Sequence, residues 1–231
     1  MSMRIGMLGP LEVRAESGEQ LELSGARLRA LLIRLALEPG RVVTHAQLVD
    51  ALWADDPPSG AANALQALVS RLRRALPDGV VESHPSGYRL AVRPSAVDLH
   101  RFEQLLTRAR AAAATDRPDA EAALAEALRL WRGPALADVA DAEFARGTVS
   151  RLTELRLRTV EDLVEAQLQY HGERPDVTAL EALVGDHPTR ERAVGLLMRA
   201  LVANGRSADA LAAYEQLRTT LADQFGTDPG P

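Results

Sequence analysis

The spacing of hydrophobic and polar residues changes near residue 94. Before it, short runs with an apolar residue at every second position occur beside runs with apolar residues every three or four positions. The first pattern is typical of strands and the second of amphipathic helices. After Arg93-Pro94-Ser95 only the helical pattern occurs. The sequence therefore predicts an α+β domain over 1–93 and an all-α domain over 94–231.

The N-terminal domain is predicted to contain a small sheet, three helices and a β-hairpin, in that order. Apolar alternation predicts an antiparallel sheet from Ile5, Met7, Leu11, Val13, Leu21 and Leu23. The first helix is expected to start at an N-cap, Ser24, and to end at Pro39-Gly40; Thr44 is expected to cap the second. The third is predicted over 61–76. This order is that of a winged helix-turn-helix with an additional N-terminal sheet.

The hairpin is predicted from two short strands, over 80–83 and 88–92, joined by His84-Pro85-Ser86-Gly87. Gly87 is expected to supply a positive φ at the tip. In a winged helix such a hairpin forms the wing that follows the third helix.

The C-terminal domain is predicted to consist of helices alone. Breaks at proline and glycine separate six helical segments, over 98–113, 119–132, 141–170, 176–186, 189–203 and 206–224. Gly172 and Gly205 lie 33 residues apart, and a helix rich in alanine and leucine follows each. This spacing suits stacked helical hairpins of the tetratricopeptide type. The fold class predicted for the whole chain is therefore mainly α.

The third helix carries the residues that point most directly to a function. Its apolar stripe consists of Leu65, Leu68, Val69, Leu72 and Leu76. The outward side presents amide, hydroxyl, methyl and guanidinium groups and no acid. Such groups hydrogen-bond or contact base edges in the major groove of DNA. The predicted base-facing residues are Asn63, Gln66, Ala67, Ser70, Arg71 and Arg74.

A solvated basic helix face is the alternative to this DNA-reading interpretation. The capped helix before the third helix and the hairpin after it favour the reading of DNA. A second set of residues is expected to contact phosphates or to form the wing: Arg73, Thr44, His84, Ser86 and Arg89. For the hairpin, a purely structural role stays open.

The charge distribution supports this division of the chain. The net charge of the 231 residues is −5. Residues 1–93 carry 11 arginines against 10 acids, and residues 94–231 carry 16 arginines against 22 acids. A DNA-reading module beside an acidic protein-contact module would show such an asymmetry.

Enzymatic, metal-binding and membrane functions find no support in the sequence. Cysteine is absent, which excludes disulfides and thiolate metal sites, and the five histidines share no metal-ligand spacing. No phosphate-binding glycine loop or nucleophile motif occurs. No secretion signal or long apolar run occurs either. We expect a cytoplasmic protein that is not an enzyme and needs no cofactor or metal.

Several segments resemble a known family. They are Leu48–Trp53, the loop to Gly60, Asn63–Gln66, Ser70–Leu76, Gly87–Leu90, Asp98–Glu103, Ala127–Gly133, His187–Glu191 and Gly226–Pro231. The first half resembles an OmpR-type winged helix, and the second is similar to a bacterial transcriptional activation domain. Together they resemble the antibiotic regulatory proteins of actinomycetes, the SARP family.

The resemblance implies a transcriptional activator of biosynthetic, secondary-metabolite genes. It implies that a homodimer of the chain binds double-stranded DNA with tandem direct repeats, head-to-tail. It also implies that the chain contacts RNA polymerase through the sigma and alpha subunits of the polymerase. The polymerase-facing loop would contain Trp53, Asp55, Asp56, Pro57 and Ser59. In many relatives an ATPase and further repeats follow, and no nucleotide motif occurs before Pro231.

Three alternatives stay open from the residues. A repressor could use the same fold, and a helical-repeat scaffold could carry a winged domain that binds only protein. Trp53 is expected to be a core residue by its position at the end of an amphipathic helix, with a docking role as the alternative.

Overall fold

The computed structural model of the chain describes residues 3–170 and 175–230. The N-terminal elements are β1 (Arg4–Gly6), β2 (Glu12–Arg14), α1 (Ala26–Ala36), β3 (Val42–Thr44), α2 (His45–Trp53), α3 (Ala61–Ala75), β4 (Val81–His84) and β5 (Gly87–Leu90). A 3₁₀ turn (Pro94–Ala96) precedes α4 (Asp98–Ala112), α5 (Arg117–Arg129), α6 (Glu143–Tyr170), α7 (Thr178–Asp186), α8 (Glu191–Ala203) and α9 (Ser207–Phe225).

The predicted fold class is confirmed: a winged helix-turn-helix is followed by helices. The bounds of α4 to α9 differ from those predicted by at most three residues. Gly172, on which the repeat spacing depends, lies outside the described residues.

Two predictions for the segment before α1 were wrong. Leu21 and Leu23 form no strand: this segment meets β2 only through an isolated bridge between Gln20 and Arg14 and a hydrogen bond from the N–H of Leu21 to the carbonyl of Val13 at 2.8 Å. Ser24 does not cap α1: the cap position is Gly25, with a φ of 101° and no side-chain hydrogen bond to the helix. The glycine suits this left-handed backbone, which a serine would adopt at a cost.

The wing is part of a three-stranded antiparallel sheet in the order β3-β5-β4. Strand β3 was not predicted, since its three residues Val42–Thr44 are too few to show alternation. Gly87 pairs with Thr44 and with His84. Gly87 was expected to have a positive φ, and this prediction was wrong: its φ is not positive. A glycine is needed there because a Cβ would lie 2.8 Å from the Cα of Thr44.

Contacts divide the chain into two compact units. Unit 1 comprises Met1–Gln104 and Arg129–Thr153, and unit 2 comprises Leu105–Leu128 and Glu154–Pro231. The domain boundary predicted between residues 93 and 94 stays a prediction, because the two units describe how residues pack and not which segments fold independently.

Within unit 1, the start of α4 is tied to the N-terminal strand region by the carboxylate of Asp98. Its two oxygens accept hydrogen bonds from the backbone N–H groups of Met7 (2.7 Å) and Leu8 (3.0 Å). Arg132 lies 3.3 Å from the same carboxylate, and its own N–H donates to the Leu8 carbonyl at 2.7 Å. Burial raises the pKa of Asp98, although these donors act in the opposite direction. Residues of the second half of the chain thus complete the fold of the first.

Unit 2 has a hydrophobic core where α6, α7, α8 and α9 pack. The buried residues there are Val164, Leu180, Leu183, Ala193, Leu196, Leu197, Ala200, Leu201 and Ala210. A charged network lies beside it on α6 and at the start of α8, and includes Glu161, whose side chain is fully buried. Within residues 3–170 and 175–230, no helix combines the length and apolar character that a membrane span needs.

Candidate nucleic-acid interface

Helix α3 packs on its leucine stripe and exposes its polar side, as its periodicity predicts. Leu65, Val69 and Leu72 are at most 2% exposed. The polar residues on the opposite side are all exposed: Asn63, Gln66, Ser70 and Arg74. Within the described part of the chain, none of these four side chains has a hydrogen bond or ion pair. We call these four residues the reader face; their groups are free to meet a ligand.

The other two predicted base-facing residues, Ala67 and Arg71, are exposed as well. Both line an open cleft that also contains Trp53 and Arg27. The guanidinium of Arg71 donates to the carbonyl of Ser24 at 3.4 Å.

Arg73 joins α3 to the wing. Its Nε donates to the carbonyl of Val81 at 3.0 Å, and its Nη2 donates to Oγ of Ser83 at 2.8 Å. The guanidinium also lies 6.0 Å from the centre of the Tyr88 ring, within the range of a cation–π contact. Arg73 therefore fixes the wing against the helix, a role that its position on the helical wheel did not indicate.

The wing tip is closed by His84 and Ser86. The imidazole Nδ1 accepts the backbone N–H of Ser86 at 3.2 Å and lies 2.8 Å from the serine hydroxyl. Because Nδ1 accepts, the proton of the neutral ring is on Nε2. Both residues are exposed, so an Nε2–H group at the tip is available to a phosphate oxygen.

The side chain of Thr44 is engaged at the start of α2. Its hydroxyl accepts the N–H of Gln47 at 3.3 Å, and the Gln47 side chain accepts the N–H of Thr44 at 2.9 Å. This is the reciprocal capping box that stabilises a helix start. The predicted cap is confirmed. The predicted phosphate contact was through backbone N–H groups at the start of α2. The N–H groups of Thr44 and Gln47 are both used in this capping box, and the contact stays a prediction.

Among the predicted phosphate ligands, Arg89 is paired with an acid of the described residues. Strand register places it opposite Glu82. Its Nε donates to the Glu82 carboxylate at 2.9 Å, and Nη2 contacts the same oxygen. Both side chains are more than 40% exposed. The ion pair neutralises the positive charge of Arg89 that would otherwise attract a phosphate.

We expect this ion pair to limit binding to DNA. Glu82→Gln should release Arg89 and make the slope of log K against log salt more negative by about 0.9, the value for one added phosphate contact. Arg89→Ala should weaken binding to matched and unmatched duplexes alike. Fluorescence anisotropy of labelled duplexes at several salt concentrations measures both.

Glu19→Gln is the matched control for this pair, because it also removes one exposed negative charge from the N-terminal domain. If Glu19→Gln and Glu82→Gln change the salt slope equally, the ion pair has no specific influence and the wing assignment of Arg89 is wrong.

The loop after α2 is exposed and begins directly after Trp53. Asp55, Asp56, Pro57 and Ser59 are all exposed. Trp53 itself is half-buried at the cleft, with the Arg27 guanidinium 5.9 Å from its ring centre. The expectation of a core position for Trp53 was wrong, because its ring is only partly covered where it lines the cleft.

Comparisons with known proteins agree with this geometry. Residues 18–90 match the family described as transcriptional regulatory protein, C terminal, and residues 97–231 match the bacterial transcriptional activator domain. The chain is 38% identical to the transcriptional regulator RedD of Streptomyces coelicolor, over 99% of this chain and 67% of RedD. It is 41% identical to the regulatory protein AfsR of the same species, over 100% of this chain and 23% of AfsR.

A solved structure shows the same fold. It is that of Mycobacterium tuberculosis EmbR in complex with a low affinity phosphopeptide, with a TM-score of 0.89 and 36% identity over 100% of this chain and 62% of that chain. Fold, exposed helix and family matches define a transcriptional regulator of the winged-helix class. The chain belongs to the SARP family of antibiotic regulatory proteins, which combine an OmpR-type module with a bacterial transcriptional activation domain.

Proposed function

We propose that the chain is a sequence-specific, DNA-binding activator of biosynthetic, secondary-metabolite genes, acting in the cytoplasm without catalysis, cofactor or metal. The observation that carries this proposal is the reader face: Asn63, Gln66, Ser70 and Arg74 are exposed and unpaired within the described residues, and α3 itself carries no acid. An amide pairs best with adenine and a guanidinium with guanine in the major groove. Membership of the SARP family supports the same proposal.

The proposed site is a pair of direct repeats, bound head-to-tail by two copies of the chain. Four unpaired side chains on one helix make few base contacts, so a single copy would have modest specificity. Repeats spaced by about one helical turn, roughly 10 base pairs, would bring both copies to one face of the duplex. DNase footprinting of the promoters next to the chain's own gene tests this. We expect two protected repeats that appear together; one isolated protected segment would contradict the paired arrangement.

The proposed partner is RNA polymerase, contacted through its sigma and alpha subunits by the loop from Trp53 to Gly60. An aromatic ring in a partly covered cleft is a frequent energetic centre of protein interfaces. Two exposed carboxylates, Asp55 and Asp56, would provide charge complementarity to a basic polymerase surface.

We expect loop variants to separate activation from DNA binding. Trp53→Ala, or Asp55→Asn combined with Asp56→Asn, should lower activated transcription by about tenfold, the equivalent of about 1.4 kcal/mol at an interface. Affinity for the duplex should not fall. Run-off transcription with purified polymerase, beside anisotropy of the same samples, measures both quantities.

Glu19→Gln combined with Glu22→Gln is the charge-matched control, with two exposed acids removed from another loop. If the control lowers activated transcription as much as the loop variants, the loop has no special role. If the unmodified protein lowers transcript output instead of raising it, the chain is a repressor on the same fold.

A further inference from the structure

A cavity of about 270 Å³ lies within unit 2. It is bounded by the second half of α4, by α5 and by α6. Leucines form part of its wall: Leu106, Leu124 and Leu155. Its rim carries exposed polar residues, so the cavity opens to solvent on that side. It is distinct from the cleft beside Trp53, which belongs to unit 1.

Four of the residues that line the cavity are alanines: Ala109, Ala113, Ala120 and Ala166. Protein interiors are otherwise close-packed, and a void forfeits the contacts that larger side chains would make. The one polar side chain at its buried wall, Thr159, already donates its hydroxyl to the Leu155 carbonyl at 2.6 Å. The interior therefore suits an apolar group.

The charges at the rim are paired with one exception. Asp162 and Glu165 are engaged by Arg192, at 2.7 and 2.8 Å. Arg158 is 2.8 Å from Glu154. Arg110 lines the same cavity, and within the described residues it has no hydrogen bond or ion pair. An unneutralised guanidinium beside an apolar interior attracts an anion that also carries an apolar body.

We propose that this cavity binds a small organic acid with an apolar chain or ring of roughly a dozen non-hydrogen atoms, its carboxylate against Arg110. The apolar part fills the space left by the four alanines. This inference is independent of how the chain contacts DNA. A longer peptide lying across the rim is the rival occupant, and it would not depend on the depth of the cavity.

Decanoate, decanol and decylamine are suitable probes, because they share a ten-carbon chain and differ in charge. Titrations below micelle-forming concentrations, followed by the amide resonances of the ¹⁵N-labelled full chain, give affinity and location together. Decanoate is expected to bind saturably and to shift the amides of α4, α5 and α6. Decanol should bind about fivefold more weakly, and decylamine more weakly still.

Three variants test the site. Ala166→Leu fills the cavity, and Ala113→Leu obstructs it from an exposed position where folding is not endangered; each should abolish binding of decanoate. Arg110→Gln should lower decanoate affinity to that of decanol. Arg218→Gln, an exposed arginine of α9, is the control and should change nothing.

Several results would overturn the proposal. They are unchanged decanoate affinity in both leucine variants, equal affinity for decanoate and decylamine, and amide shifts confined to other helices. Absence of saturable decanoate binding would overturn it as well.

Discussion

Replacing Arg190 by alanine is expected to destabilise the helical unit by about 3–4 kcal/mol. The guanidinium makes hydrogen bonds to two carboxylates of α6: to Glu161 at 2.5 and 3.1 Å, and to Glu154 at 2.9 and 3.1 Å. Glu161 is fully buried, so loss of Arg190 leaves it with Arg192 as its remaining cation, at 3.2 Å. An undercompensated buried charge is costly because the interior solvates it poorly.

Urea unfolding followed by far-UV circular dichroism measures this loss. Arg158→Ala is the matched control, because Arg158 is an exposed arginine that pairs with Glu154 alone and should cost less than about 1 kcal/mol. Equal destabilisation by the two variants would contradict the special role of the buried carboxylate.

The same cluster should give the protein a characteristic response to acid. Hydrogen bonds from Arg190, and secondarily from Arg158, lower the pKa of Glu154 from 4.5 to about 2. The stability that this shift contributes is fully present above pH 4.5 and is lost as the pH falls toward 2. The free energy of unfolding of Arg190→Ala should therefore vary less with pH across this interval than that of the unmodified protein.

Asp98→Ala is the second change with a large expected effect, about 2–4 kcal/mol on unit 1. It leaves the N–H groups of Met7 and Leu8 without acceptors, and each buried unsatisfied donor costs roughly 1–3 kcal/mol. Trp53 and Trp131, the only tryptophans of the chain, both lie in unit 1. Denaturant unfolding followed by tryptophan fluorescence therefore reports on this unit.

Asp98→Asn tests the mechanism of that loss, since it keeps one acceptor oxygen and removes the charge that Arg132 contacts. It should destabilise unit 1 by less than alanine does. Asp78→Ala, at an exposed turn, should have little effect. If asparagine and alanine at position 98 are equally harmful, the hydrogen bonds to Met7 and Leu8 do not account for the stability.

Local periodicity was enough to predict the helices and the general position of the reader face. The buried stripe of α3 follows from its sequence because one side of an amphipathic helix must pack. Contacts that bridge distant positions were not predictable in this way. The bonds of Asp98 to Met7 and Leu8 span about 90 residues, and no local pattern records such a pairing.

The sequence also did not show which partner each long side chain contacts. Arg71, Arg73 and Arg74 are neighbours on one helix, yet the first reaches Ser24 and the second the wing, and the third is exposed with no partner among the described residues. The register of the hairpin could have indicated the pairing of Arg89 with Glu82, because cross-strand neighbours of opposite charge attract.

The central claim is that the reader face of α3 recognises base pairs. Fluorescence anisotropy with a duplex carrying the footprinted repeats, and with a scrambled duplex, tests it most directly. Arg74→Ala and Asn63→Ala should each cost about 1–3 kcal/mol on the matched duplex and relax the preference at one base pair, with little loss on the scrambled one. Arg4→Ala, an exposed arginine on β1, should leave that preference intact. Equal losses on the two duplexes, or no loss on either, would contradict the claim that α3 reads the sequence.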